Sequence, residues 1–280
     1  MPNFHELNPS AEITNQVFRS PNEARRAYPV IEKIEDVFSP QLTSVVRYNR
    51  YRSDETIGEW VRLLGPDALA LTHPHQSALT THDLVITQEA YGQPFGSALR
   101  NALYTAPWIH DFGELELEGK GVGDVSFDKK TEADERVEIE IFDTVMNALA
   151  TPPERQDLSD IYRTIAMDKN SPLGKAFHIV ERVGYMETVI RAYLGVSGER
   201  IENWQGLVGN VLSNNFPALL APREKYPYLD IFLQENGPII DEMFNDTVNH
   251  EVRFDREGTL SYDPAKLSAA NEAWSLRNSN

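Results

Sequence analysis

A chain of 280 residues with a net charge of −17 and no cysteine is poorly suited to nucleic-acid backbones or anionic membranes, and it can form neither disulfides nor thiolate-ligated metal centres. Its apolar fraction of 41% is that of a globular protein, and no apolar run approaches the roughly 18 residues that span a bilayer. The opening MPNFHELNPSAEITNQ carries neither a basic nor an apolar leader segment, so the expectation is a soluble, cytoplasmic protein whose metal chemistry would rest on His and carboxylates.

Residues 1 to 50 hold scattered prolines and two short helical patches, at Asn22–Arg26 and Ile31–Val37, and read as an extension wrapping a core. In Asp54–Gly65, Ile57, Trp60, Val61 and Leu64 form the i, i+3, i+4, i+7 stripe of an amphipathic helix, stopped by Gly65-Pro66. Ser77–Tyr91 is a mostly buried helix, and another runs from Ser97 towards His110, with Pro107 expected to kink or restart it. After a Gly-rich loop, Glu132–Leu149 repeats apolar residues every four positions, and a shorter helix covers Leu158–Met167. Ser171-Pro172 gives an N-cap followed by Pro at N1, which delimits a helix over Pro172–Leu194. Arg200–Leu212 and Tyr228–Phe244 follow, the second broken at Gly237-Pro238, and the polar tail from Asp255 is expected to be weakly ordered. Strand-like alternation is nearly absent, so the chain reads as all-α, with a core over 51–195 and a C-terminal helical extension over 196–280.

The chemistry concentrates in Ala106–Lys130, APWIHDFGELELEGKGVGDVSFDKK, where His110 and Asp111 end an apolar helical pattern. Buried ionisable groups need a partner, and a divalent ion is the simplest one for an imidazole beside a carboxylate. Mixed nitrogen and oxygen donors favour Mn, Co, Fe, Ni or Zn over Mg. A helical protein points such ligands inward from several helices. His82 is the histidine that lies within a strong helical pattern, whereas His73 and His75 flank Pro74 and read as loop residues. Glu181 sits beside the apolar Phe177 and Val180, with Glu187 on a different arc. The acidic run Glu132–Glu140 reads as solvated helix surface.

The order His82-Asp-Leu-Val-Ile, His110-Asp111-Phe-Gly-Glu114, Gly123-Asp124, then Phe177-His-Ile-Val-Glu181-Arg resembles the HD-domain metal-dependent phosphohydrolases, and most of all the HD-type 5′-nucleotidases. The resemblance spans roughly residues 55 to 195 and implies an HD-domain helical bundle. By that resemblance His82, His110 and Asp111 bind one divalent transition metal, with Glu181 as fourth ligand where the family carries Asp. Glu114 is then the acid or base near the attacking water and Asp124 a second acid, although the Gly-Asp step lies further beyond Glu114 than the family pattern has it. Family members that cleave cyclic dinucleotides carry Lys where Glu114 stands, which argues against that branch.

The implied activity is removal of phosphate from a nucleoside monophosphate or similar small phosphomonoester, with no nucleic-acid polymer or membrane as partner and a homo-oligomer left open. Phosphate needs cations, and the candidates are Arg47, Arg50, Arg52, Arg62, Lys129 and Lys130, with His178 sharing the face of Glu181. Two alternatives stand beside this: hydrolysis of a nucleoside triphosphate or other phosphoester at the same site, and a non-catalytic protein that binds metal or nucleotide for regulation.

Overall fold

The computed structural model describes residues 16–52, 55–117, 130–195 and 201–278, and among these the named elements are all helices, with no strand beyond isolated bridges such as the antiparallel one between Phe254 and Leu260. The helices are α1 (Pro21–Ala27), α2 (Val30–Ser44), α3 (Ile57–Leu64), α4 (His73–Ala90), α5 (Ser97–Ile109), α6 (Glu132–Leu149), α7 (Pro152–Met167), α8 (Pro172–Gly195), α9 (Ile201–Asn214), α10 (Phe216–Leu220), α11 (Pro227–Glu235), α12 (Gly237–Asn249) and α13 (Pro264–Asn278). No helix of the described residues is long and apolar enough to cross a membrane.

The chain forms two compact units, Met1–Val45 with Leu69–Val180, and Val46–Ala68 with Glu181–Asn280. This division differs from an extension, core and extension taken in chain order. The N-terminal segment belongs to the first unit because Phe18, Ala24, Ile31 and Ile34 are fully buried core residues. Segment 46–68 groups with the C-terminal helices, since Arg191 donates to the Leu64 carbonyl and the Arg256 amide donates to the Arg50 carbonyl.

In the first unit α4 and α5 pack side by side, α1 lies against both, and α5, α7, α6 and α2 follow in contact order. Local chemistry sets the helix starts. Ser20 caps α1 through the Glu23 amide, Thr131 and Asp134 form a reciprocal capping box at α6, and the Ser171 hydroxyl accepts from the Gly174 amide at α8. Glu154 serves two helices, accepting from Thr151 at the start of α7 and from the Val30 amide of α2 at 3.1 Å. Phe142 and Tyr162 stack at 3.9 Å between α6 and α7.

Three sequence expectations change. α4 begins at His73, four residues before Ser77, because Pro74 occupies the first turn, where its missing N–H costs no helical hydrogen bond. Pro107 lies inside α5, and the helix continues to Ile109. The tail from Asp255 is ordered: Tyr262, Leu267, Ala270 and Trp274 are buried, and the Tyr262 ring lies so close to Gly209 of α9 that a Cβ there would meet it at 2.3 Å. In the second unit α9 is the central helix, packed by α10, α12 and α13. Phe216 meets Phe244 and Trp274 edge-on, each at 5.3 Å.

Candidate metal centre

His110 is the C-cap of α5, and its ring is held by the helix end itself: Nδ1 lies 2.8 Å from the Pro107 carbonyl. A carbonyl only accepts, so Nδ1 carries a proton and Nε2 points the other way. That Nε2 lies 3.0 Å from Oδ1 of Asp111, with both side chains largely buried. A ring nitrogen and a carboxylate oxygen at this distance are two donor atoms that one metal ion could share. The backbone carbonyl on Nδ1 is the kind of partner that orients a ligating imidazole.

The His110 ring is met edge-on by His73 at 4.9 Å and by Phe177 of α8 at 5.4 Å. Glu181 lies one turn beyond Phe177. One ligand atom each from His73, His110 and Glu181 lies within 4.8 Å of the others, a donor set suited to a metal ion. His73 is 1% exposed, and its Nε2 is 3.2 Å from the Ser77 hydroxyl.

His82 does not join this group. It stands on α4 with His73, roughly 13 Å further along the axis at about 1.5 Å per residue, and at 3.6 residues per turn it points to the opposite face. There its Nδ1 lies 3.3 Å from the Tyr104 hydroxyl, whose phenol burial pushes up to about 12 against the opposing effect of Arg100. The donor group is thus His73, His110 and Glu181, with Asp111 beside His110, and His82 is not part of it.

Glu114 lies on the short turn Phe112–Glu114 directly after Asp111, its amide bonded to the Asp111 carbonyl at 3.0 Å. Lys130 faces it, with Nζ 3.6 Å from a Glu114 oxygen and 2.7 Å from Oε1 of Glu138 on α6. Burial works against the Lys130 charge, but Glu114 and then Glu138 outweigh it and hold its pKa above the usual lysine range. Glu138 is itself buried, which pushes its carboxyl upwards while Lys130 pulls it back. Beside them Tyr162 is pushed well up by burial and by Glu138, Glu114 and Asp111, so it remains a neutral hydroxyl.

Glu138 and Tyr162 are absent from the sequence reading. The run Glu132–Glu140 reads from the sequence as solvated surface, yet Glu138 is only 3% exposed, because it leads the buried stripe Ile141, Phe142 and Val145 in helical register. Asp124 and Lys129 lie outside the described residues. His178 is half-buried one turn before Glu181, and Arg62 is exposed in the last turn of α3, in the second unit. Arg47 and Arg50 are committed within the second unit, to Asp67 at 3.7 Å and Asp255 at 3.0 Å, and Arg52 bonds Asn49 and the Glu55 carbonyl.

Comparison of the chain with family models, with curated proteins and with solved structures returned no match.

Proposed function

We propose that this protein is an HD-type metal-dependent phosphohydrolase acting on a small phosphomonoester, with nucleoside monophosphates the first class to test. The observation that carries the reading is the convergence of His73, His110 and Glu181 from three helices, with Asp111 3.0 Å from the outward nitrogen of His110. The donor set fits one divalent transition metal: His73, His110, Asp111 and Glu181 would hold it. Bound there, such an ion would lower the pKa of a water towards neutrality and offset phosphate charge.

The protein's own residues divide the remaining work. The Pro107 carbonyl orients His110, Phe177 closes its ring on one side, and Glu114, on the turn that follows Asp111, is placed to take or return a proton. Tyr162 offers a neutral hydroxyl among three acids, which lets Asp111, Glu114 and Glu138 sit close without a fourth negative charge.

The test is phosphate release by metal-stripped protein resupplied with Mn²⁺, Co²⁺, Ni²⁺, Zn²⁺ or Mg²⁺, against ribo- and deoxynucleoside mono- and triphosphates. Metal-dependent release that His110→Ala abolishes is the expected result. An ion bound at one per chain with no release from any substrate would overturn the hydrolase and favour a regulatory metal or nucleotide site.

A further inference from the structure

Lys130 is one of the cations that the sequence offers for phosphate, but its surroundings assign it a different task. Its ammonium lies against two carboxylates, Glu138 at 2.7 Å and Glu114 at 3.6 Å, and the three side chains are 20%, 4% and 14% exposed. Two carboxylates around one ammonium leave no net positive charge to attract a phosphate, and Asp111 adds further negative potential at the same lysine.

The backbone fixes this arrangement. Lys130 immediately precedes Thr131, the N-cap of α6, whose amide and hydroxyl are both bonded to Asp134, and Glu138 belongs to the same helix. The turn bearing Glu114 is pressed onto α6 at Gly113, where a Cβ would meet the Tyr162 hydroxyl at 1.9 Å and the Glu138 carbonyl at 2.8 Å. Glu114 therefore approaches α6 at the point where Lys130 and Glu138 are already paired.

We infer that Lys130 is a positioning residue: anchored by Glu138, it holds Glu114 in place beside the His110–Asp111 step and does not bind the substrate phosphate. This rests on the phosphohydrolase reading, and it makes Glu138 the buried anchor of the proton-transfer group. Without Lys130, Glu114 loses the ammonium 3.6 Å from it, and the buried Glu138 carboxyl loses the charge that offsets its burial. A displacement of about 1 Å in a catalytic group is enough to cost roughly 100-fold in rate.

The experiment compares wild type, Lys130→Met, Lys130→Arg and the double variant Lys130→Met/Glu138→Gln, using the metal and the nucleoside monophosphate that give turnover. kcat and KM are measured together with the affinity for inorganic phosphate by calorimetry. The double variant removes both buried charges and serves if the single one does not fold. The expected result is a fall in kcat of about 10- to 100-fold with KM and phosphate affinity within about twofold of wild type, and recovery of most of the loss in Lys130→Arg. Weaker phosphate binding and a raised KM at unchanged kcat would make Lys130 a phosphate ligand and overturn the inference, as would unchanged kcat in Lys130→Met. Those outcomes leave the hydrolase standing. A wild-type protein that releases no phosphate overturns the hydrolase reading and takes the inference with it.

Discussion

Buried charge is handled in one way at Asp67 and Asp255 and in another around His110. In the second unit, Asp67 and Asp255 are each met by their own donors. Asp67 faces Arg47 at 3.7 Å and accepts from the hydroxyls of Tyr48 and Thr188, while Asp255 faces Arg50 at 3.0 Å and accepts from the amides of Glu257 and Thr259. Such an arrangement satisfies charge internally and holds a fold together. Around His110, acids and imidazoles turn their ligating atoms towards one another, and one lysine is shared between two carboxylates. Keeping like groups this close costs free energy that the pairing at Asp67 and Asp255 avoids.

Substitutions can break that contrast, and the largest effect is expected at the proposed metal centre. His110→Ala should lower phosphate release by at least about 1,000-fold and abolish metal binding while the protein stays folded, as read by metal content and circular dichroism. Loss of the fold instead would place His110 with the structural groups. Asp67→Ala should do the reverse. Leaving Arg47 buried without its carboxylate should cost about 3 to 5 kcal/mol in denaturant unfolding, with metal content per folded chain unchanged.

Gly113→Ala sharpens the comparison, because it acts on both packing and site. The new methyl collides with the Tyr162 hydroxyl and the α6 backbone, so a loss of about 1 to 3 kcal/mol in unfolding free energy is expected, together with reduced kcat as the Glu114 turn lifts away. The smallest effect is expected from Thr131→Ala. Removing the α6 cap should cost about 1 kcal/mol in the same unfolding measurement, with phosphate release within a fewfold of wild type.

Helical periodicity made most elements legible in the sequence, down to the bounds of α6 at Glu132 and Leu149. The two parts that were not legible share a cause, since both depend on contacts between elements. The C-terminal segment is polar on average, and its few large apolar residues become core only where α9 presents Gly209 and where Phe216 meets Trp274. His73 looked like a loop residue because Pro74 follows it. A proline in the first turn of a helix is compatible with either reading, and the packing of α4 on α5 decides between them by bringing His73 to His110. Glu138 was legible in principle: it stands three and four positions before Ile141 and Phe142, but its acidic neighbours masked the register.

Exchange of His73 for His82 separates the structural account of the centre from the one read along the sequence. Metal binding to stripped protein, followed by equilibrium dialysis with Mn²⁺ or Zn²⁺, should give one ion per chain for wild type and for His82→Ala, and none for His73→Ala. Binding that survives in His73→Ala and disappears in His82→Ala would contradict the proposed centre, as would a wild-type chain that binds no ion at all.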